Sequence, residues 1–175
     1  PEGRTTTLQY DAATLLTNSI SIPGQHDITH DYDTRGRLIS TVTGTRETSF
    51  GYNTRGFLDS ITDPENNTTG YIYDDVGHVT RIDRPDSSSL LFSYDNNGNM
   101  TMLTNPSTVD HGFGYNSVNA KNTYLTPLSG NYRFEYDRDR QLTQINYPSG
   151  IQINNIFDAT RLVQTQTPET TIDYM

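Results

Sequence analysis

The chain contains no cysteine. A small secreted domain stapled by disulfides is therefore excluded, although secretion itself is not. Alanine occurs only at Ala12, Ala13, Ala120 and Ala159, and no window carries the 3.6-residue apolar stripe of a core-facing helix. Apolar runs are short. None approaches the roughly 18–20 residues a helix needs to cross a bilayer, and no signal-peptide pattern opens the chain. Lys121 is the only lysine among 12 basic residues, set against 21 acidic ones. The net charge of −9 and pI near 4.7 argue against nucleic acid or an anionic membrane surface as partner, since both require a basic footprint. Apolar residues are 31% of the 175-residue chain and charged residues 19%. Thr, Asn, Ser, Gln and Gly fill the difference, a composition suited to half-buried sheet with one polar face.

Twelve Tyr and six Phe are spread along the chain, and they are spaced regularly. Tyr10, Tyr32, Tyr52, Tyr73, Tyr94, Tyr115, Tyr136 and Phe157 follow one another at steps of 22, 20, 21, 21, 21, 21 and 21 residues. The next residue is Asp or Asn every time: Asp11, Asp33, Asn53, Asp74, Asp95, Asn116, Asp137 and Asp158. A short side chain with a carbonyl oxygen accepts a hydrogen bond from the backbone two residues on and closes an Asx-turn. Gly36, Gly56, Gly77, Gly98 and Asn119 stand four residues after their anchors, which predicts a backbone position with positive φ, as tight hairpin turns require. Thr14, Arg140 and Arg161 depart from that rule and predict a different or more strained turn in their repeats.

An apolar residue follows at anchor +6 (Leu38, Leu58, Val79, Met100, Leu142) and another at +9 or +10 (Val42, Ile61, Ile82, Leu103, Ile145). Positions −4, −2 and 0 alternate and share one strand face, rich in Thr, Tyr, Phe and Ile. A step of three from +6 to +9 does not preserve the face, so either a bulge intervenes or the return strand buries both sides. Seven of the eight prolines fall nine residues before an anchor, with Pro168 in the same phase, as expected of strand ends and loops. The pattern predicts a single all-β array over 1–175: about eight β-hairpins of some 21 residues, each contacting mainly its neighbours. The rival architecture is a four-bladed propeller built from pairs of units.

The run Tyr32-Asp33-Thr34-Arg35-Gly36-Arg37-Leu38 resembles the YD repeat of RHS-repeat proteins. That family includes bacterial Rhs proteins, the B and C components of insecticidal Tc toxin complexes, wall-associated proteins and teneurins. The resemblance covers nearly the whole chain. It implies successive hairpins winding into a curved, spiralling shell that encloses or displays another polypeptide, and a secreted or cell-surface location, with the missing cysteine favouring a bacterial source. It also implies the alternative of an extracellular module that binds carbohydrate or a cell-surface protein. The chain starts at Pro1 in mid-pattern and reads as a fragment of something longer. Free sheet edges at the two ends of such a fragment invite an edge-to-edge dimer.

The repeat residues Tyr32, Asp33, Gly36, Tyr52, Asn53, Gly56, Tyr73, Asp74, Gly77, Tyr94, Asp95, Gly98, Tyr136 and Asp137 are therefore read as structural. A catalytic carboxylate pair needs two different environments to separate its pKa values, and a residue repeated at every turn has nearly one environment. Asp95, Asn97 and Asn99 imitate the start of an EF-hand loop, but Met100 stands where glycine is required and no glutamate follows at the twelfth position. His26, His30, His78 and His111 show no zinc-ligand spacing, and no Gly-x-Ser-x-Gly elbow occurs. No enzymatic activity, metal or cofactor is expected. The sequons at Asn66, Asn67 and Asn99 matter only in a glycosylating host. The Tyr and Phe ladder would serve as a sugar-stacking platform if exposed, but its place on the alternating face predicts packing.

Overall fold

The structure, a computed structural model, describes residues 5–128 and 130–174. These residues form seventeen β-strands and no helix. The chain divides into two compact units, Pro1–Ser88 and Ser89–Met175. The first holds β1 (Thr7–Tyr10), β2 (Thr17–Ser21), β3 (Ile28–Tyr32), β4 (Leu38–Thr43), β5 (Arg46–Tyr52), β6 (Leu58–Thr62), β7 (Thr68–Tyr73) and β8 (Val79–Asp83). The second holds β9 (Ser89–Tyr94), β10 (Met100–Thr104), β11 (Asp110–Tyr115), β12 (Lys121–Leu125), β13 (Asn131–Tyr136), β14 (Leu142–Asn146), β15 (Gln152–Asp158), β16 (Arg161–Gln166) and β17 (Thr171–Asp173). Within each unit every strand pairs antiparallel with the next one in sequence. This serial pairing is a tandem hairpin array, and the blades of a propeller are not present in it.

The anchor residue ends each odd strand from β1 to β13 and faces the first residue of the return strand: Tyr32 opposes Leu38, Tyr52 opposes Leu58, Tyr73 opposes Val79 and Tyr94 opposes Met100. The register then shifts by one. Asp31 opposes Ser40 and Gly51 opposes Ser60, so Ile39 and Asp59 are extra residues on the return strand. A bulge at this point converts the odd step from +6 to +9 into an even one. Ile61 thus lands opposite Phe50, Ile82 opposite Tyr71 and Leu103 opposite Phe92. Residue +9 also meets the −4 residue of the following repeat, as Ile61 meets Thr69 and Ile145 meets Ile153. Apolar and aromatic side chains from both strands of every hairpin therefore share one face.

That face has no second layer over it among the described residues. Among the described residues no apolar side chain is fully enclosed, and Ser40, at 8% exposure, is the only buried one. Side chains are covered laterally by cross-strand neighbours, and such pairs contribute roughly 0.2–1 kcal/mol each. The sequence predicts a packed interior for the Tyr and Phe ladder; the structure holds it half-exposed instead. Without an apolar core, the ladder hydrogen bonds and the turns carry a larger share of specificity.

Candidate functional site

The chemistry-bearing residues gather at the repeat turn. In the second repeat the Asp33 N–H donates to Arg37 O at 2.9 Å and the Gly36 N–H donates to Asp33 O at 2.9 Å. Asp33 Oδ1 accepts from the N–H groups of Arg35 at 2.8 Å and Arg37 at 3.0 Å. The side chain thus captures two donors, one more than a simple Asx-turn. Asn53, Asp95 and Asp137 do the same with the second and fourth residues after them, and Asp74 adds the Gly77 N–H. Gly36, Gly56, Gly77 and Gly98 have φ of 75°, 94°, 99° and 82°. This is a type I turn followed by a left-handed residue, the usual three-residue hairpin loop.

Arg140 adopts the same turn, with φ of 65°, so the departure in sequence is absorbed as backbone strain and not as a new turn type. The terminal repeats do differ. After Asp11 the loop is one residue longer, closing on Leu16 with positive φ at Leu15. After Asp158 it is shorter, with Asp158 directly opposite Arg161 and positive φ at Ala159.

Two of the opposite ends of the hairpins use the same device, which the sequence reading treats only as a proline-containing loop. Asp63 Oδ1 accepts from Glu65 N and Asn67 N, both at 2.9 Å, and Asn105 Oδ1 accepts from Ser107 and Val109. Pro64 and Pro106 occupy the position after the capping residue, where a fixed φ suits a type I turn. The left-handed position falls on Asn66, Ser87 and Thr108. The signal was present as Asp63-Pro64 and Asn105-Pro106.

The anchor tyrosines do more than pack. Tyr32 donates its hydroxyl to Thr17 O at 2.9 Å, Tyr52 to Leu38 O at 2.9 Å and Tyr73 to Leu58 O at 2.6 Å. Tyr115 reaches Met100 O at 3.0 Å and Tyr136 reaches Lys121 O at 2.8 Å. Each carbonyl belongs to the preceding repeat and sits at its bulge, where the ladder is interrupted. Tyrosine supplies both the ring that packs and the donor that satisfies an interrupted backbone group. Burial is the main cause that raises the phenol pKa of Tyr73 and Tyr115. Phe157 has no hydroxyl, and there Asn155 Nδ2 donates to Leu142 O at 3.0 Å instead. Tyr94 holds the same register position, opposite Met100.

Neighbouring turns are also joined. Arg37 lies 4.2 Å over the Tyr52 ring and pairs with Asp33 at 2.6 Å. Arg55 donates to Asp74 O at 3.0 Å and also to Asp75 O. Asn97 and Asn99 both donate to Asn119 Oδ1, at 3.2 and 3.0 Å.

The family model of the teneurin YD-shell matches residues 2–175. The chain belongs to the teneurin YD-shell family. Three solved Tc toxin structures resemble it in fold. "Crystal Structure of TcdB2-TccC3-Cdc42" aligns at TM-score 0.57 and 14% identity, covering 93% of this chain and 11% of that one. "Crystal Structure of TcdB2-TccC3 without hypervariable C-terminal region" aligns at 0.50 and 13%, covering 96% and 14%. The Photorhabdus luminescens Tc holotoxin pore, carrying the mutation TccC3-D651A, aligns at 0.50 and 12%, again covering 96% and 14%. This YD-shell segment therefore spans only about a seventh or less of the chains it resembles. No curated protein matches it.

The acidic look of the YD-shell turns resolves into backbone capping. The Arg37 backbone N–H, then its side chain, hold the Asp33 carboxyl below its usual range; the Asn99 side chain does so at Asp95. At Asp74 burial pushes the other way, but donors from His78 and the neighbouring backbone outweigh it. Among the described residues no cluster of three or more His, Asp or Glu has metal-binding geometry. His30 contacts the Thr41 hydroxyl at 3.0 Å and His78 contacts Asp74 at 2.9 Å.

In the second unit aromatic rings also gather around the return strand β12, through Tyr124. Phe113, Tyr124, Tyr132 and Tyr147 form a row with adjacent ring centroids 5.1–5.9 Å apart, and His111 stacks on Tyr124 at 5.9 Å. Lys121 lies 5.8 Å from the Phe113 ring and 5.4 Å from that of Phe134. Lys121 and Tyr124 thus stand at +6 and +9 of the Tyr115 repeat, where most repeats carry an aliphatic residue or Met. On the other face, Arg133, Glu135, Gln144, Asn146 and Gln152 line an open groove of about 440 Å³, with Gln144 Nε2 donating to Asn154 Oδ1 at 2.7 Å. The sequence reading follows the anchor face only and misses this amide-rich groove; the signal was Gln and Asn at alternate positions of β14 and β15.

Proposed function

We propose that this segment forms part of the wall of an RHS-type shell that encloses or displays another polypeptide, in the manner of a toxin- or effector-delivery protein outside the cell. Its role is mechanical and not catalytic. The observation that carries this reading is the latch from the hydroxyls of Tyr32, Tyr52, Tyr73, Tyr115 and Tyr136 to a carbonyl of the preceding repeat. It ties successive hairpins into a wall through backbone atoms, so that outward side chains are free to vary. The test is proteolysis of the longer parent protein. A second polypeptide associated with it should survive protease concentrations that digest the same polypeptide alone; equal rates of digestion would remove enclosure from the reading.

A second reading, glycan binding, is favoured by the groove that holds Gln144 and Asn146. Carboxamides both donate and accept, as sugar hydroxyls do, and the half-exposed aromatic row offers stacking surface. A glycan array with the wild-type chain and Gln144→Ala decides it: a wild-type signal lost in the variant supports the groove, and an empty array removes it.

A further inference from the structure

Carboxylates and carboxamides close these turns with the same geometry, but only carboxylates titrate. In the unit Pro1–Ser88 the capping side chains are mostly acids. Asp11 takes the N–H groups of Ala13 and Thr14 at 3.1 and 2.8 Å, and Asp33, Asp63 and Asp74 cap as described above. Asp86 accepts from the Ser88 N–H at 3.0 Å and its hydroxyl at 2.6 Å. Asn53 is the neutral exception. In the unit Ser89–Met175, Asp95 and Asp137 are matched by the neutral caps Asn105 and Asn116.

We propose that the first unit is an acid-labile part of the array, which loosens at a pH where the second unit is still folded. A carboxylate that accepts two backbone N–H groups holds its turn more strongly than the protonated acid, because only the anion makes charge-assisted hydrogen bonds at both sites. An Asn cap makes the same contacts at any pH.

The surroundings act in the same sense. Asp11 lines one cleft with His30, Asp31 and Asp33. Asp33 faces Arg37. Asp63 lies in the field of Arg46, which pairs with Glu65 at 2.8 Å. Asp74 faces His78, and Arg55 approaches Asp75 at 3.6 Å. Asp86 feels Arg84. Protonation of these acids leaves the cations uncompensated. They are more numerous in the first unit, which has seven Arg and three His against four Arg, Lys121 and one His in the second. Self-repulsion in acid is correspondingly greater there.

The side chain of Thr14 at Asp11, the backbone of Arg37 at Asp33 and the side chains of Asn67 at Asp63 and Ser88 at Asp86 are the leading causes that lower those carboxyl pKa values. Asp74 is lowered by its His78 contacts against opposing burial. A depressed folded pKa contributes stability that is present above the unfolded value and lost as pH falls through the folded one. The window therefore opens below the ordinary carboxyl value of 3.8, and the first unit enters it with more such groups.

The experiment is acid titration of the whole chain with pulsed hydrogen–deuterium labelling at one fixed labelling pH, read by mass spectrometry. Peptides from 5–88 should lose protection at a higher pH than peptides from 89–174. Combined Asp33→Asn, Asp63→Asn and Asp74→Asn, which keep the Oδ1 acceptor that Asn53 uses, should move the first-unit midpoint down to that of the second. Coincident loss in the wild type, earlier loss in the second unit, or an unmoved midpoint in the triple variant each overturn the proposal. So does failure of the triple variant to fold at neutral pH, because carboxamide capping would then not be equivalent.

Discussion

Tyr73→Phe isolates the latch. The substitution removes the hydroxyl that donates to Leu58 O at 2.6 Å and leaves the ring, which stacks on Phe57 with centroids 5.0 Å apart. An intramolecular hydrogen bond contributes about 0.5–1.5 kcal/mol net, and an acceptor left buried without a donor costs more. The site is half-buried, so water reaches the freed carbonyl in part, and the expected loss is about 1 kcal/mol. In urea, with a slope of about 2 kcal/mol/M, the midpoint should fall by about 0.5 M at constant slope. Tyr52→Phe and Tyr115→Phe should behave alike, since both hydroxyls make the same contact. The repeat that lacks the hydroxyl supplies the control. Asn155→Ala should destabilise, and adding Phe157→Tyr should recover most of the part due to Leu142 O, because a phenol then reaches the acceptor that Asn155 served. Phenylalanine variants within a few tenths of a kcal/mol of wild type at all three tyrosines, together with no recovery at Phe157, would refute the latch as a stabilising contact.

The turn geometry makes further predictions of both signs. Gly56→Val and Gly98→Val should each destabilise by on the order of 1–2 kcal/mol or more in thermal or urea melts, since β-branched residues resist positive φ. Gly77→Ala should cost at least as much, because a Cβ there would lie 2.9 Å from the Phe57 ring. Thr108→Gly should stabilise by up to about 1 kcal/mol, because it removes a β-branched residue from φ of 61°. Arg55→Ala should change stability by no more than about 1 kcal/mol, less at high salt, because its side chain is 43% exposed and its partner Asp75 fully so. Gln144→Ala should leave the melting curve nearly unchanged while testing the groove as a binding surface.

The repeat unit was legible because identical local problems recur. Asp33, Asn53, Asp74 and Asp95 each meet a reversing backbone with spare N–H donors, and a short oxygen-bearing side chain is the local answer. The glycines that follow mark the left-handed position for the same reason. What escaped was of two kinds. Turns at the proline ends fell on Asn66, Ser87 and Thr108, residue types that tolerate or merely endure positive φ and so carry a weaker signal than glycine. The tyrosine hydroxyl's partner lies in another repeat, at a carbonyl freed by a bulge, and spacing within one repeat does not point to it. The bulge itself was one of two readings of the odd step between +6 and +9, and cross-strand register chose between them.

The order of hairpins, the residues that turn the chain and the face that gathers aromatics follow from local backbone preference and period-two alternation, so they are written in the chain. How fully that face is covered is not. Alternation says which side chains share a side, but burial depends on whether a second layer lies over them, and here none does among the described residues. Hence the ladder that reads as core stands half-exposed, Asn155 replaces an absent tyrosine hydroxyl, and the opposite face collects amides into a groove. Each of these depends on contacts between strands ten or more residues apart, which pairing in three dimensions creates and linear spacing does not contain.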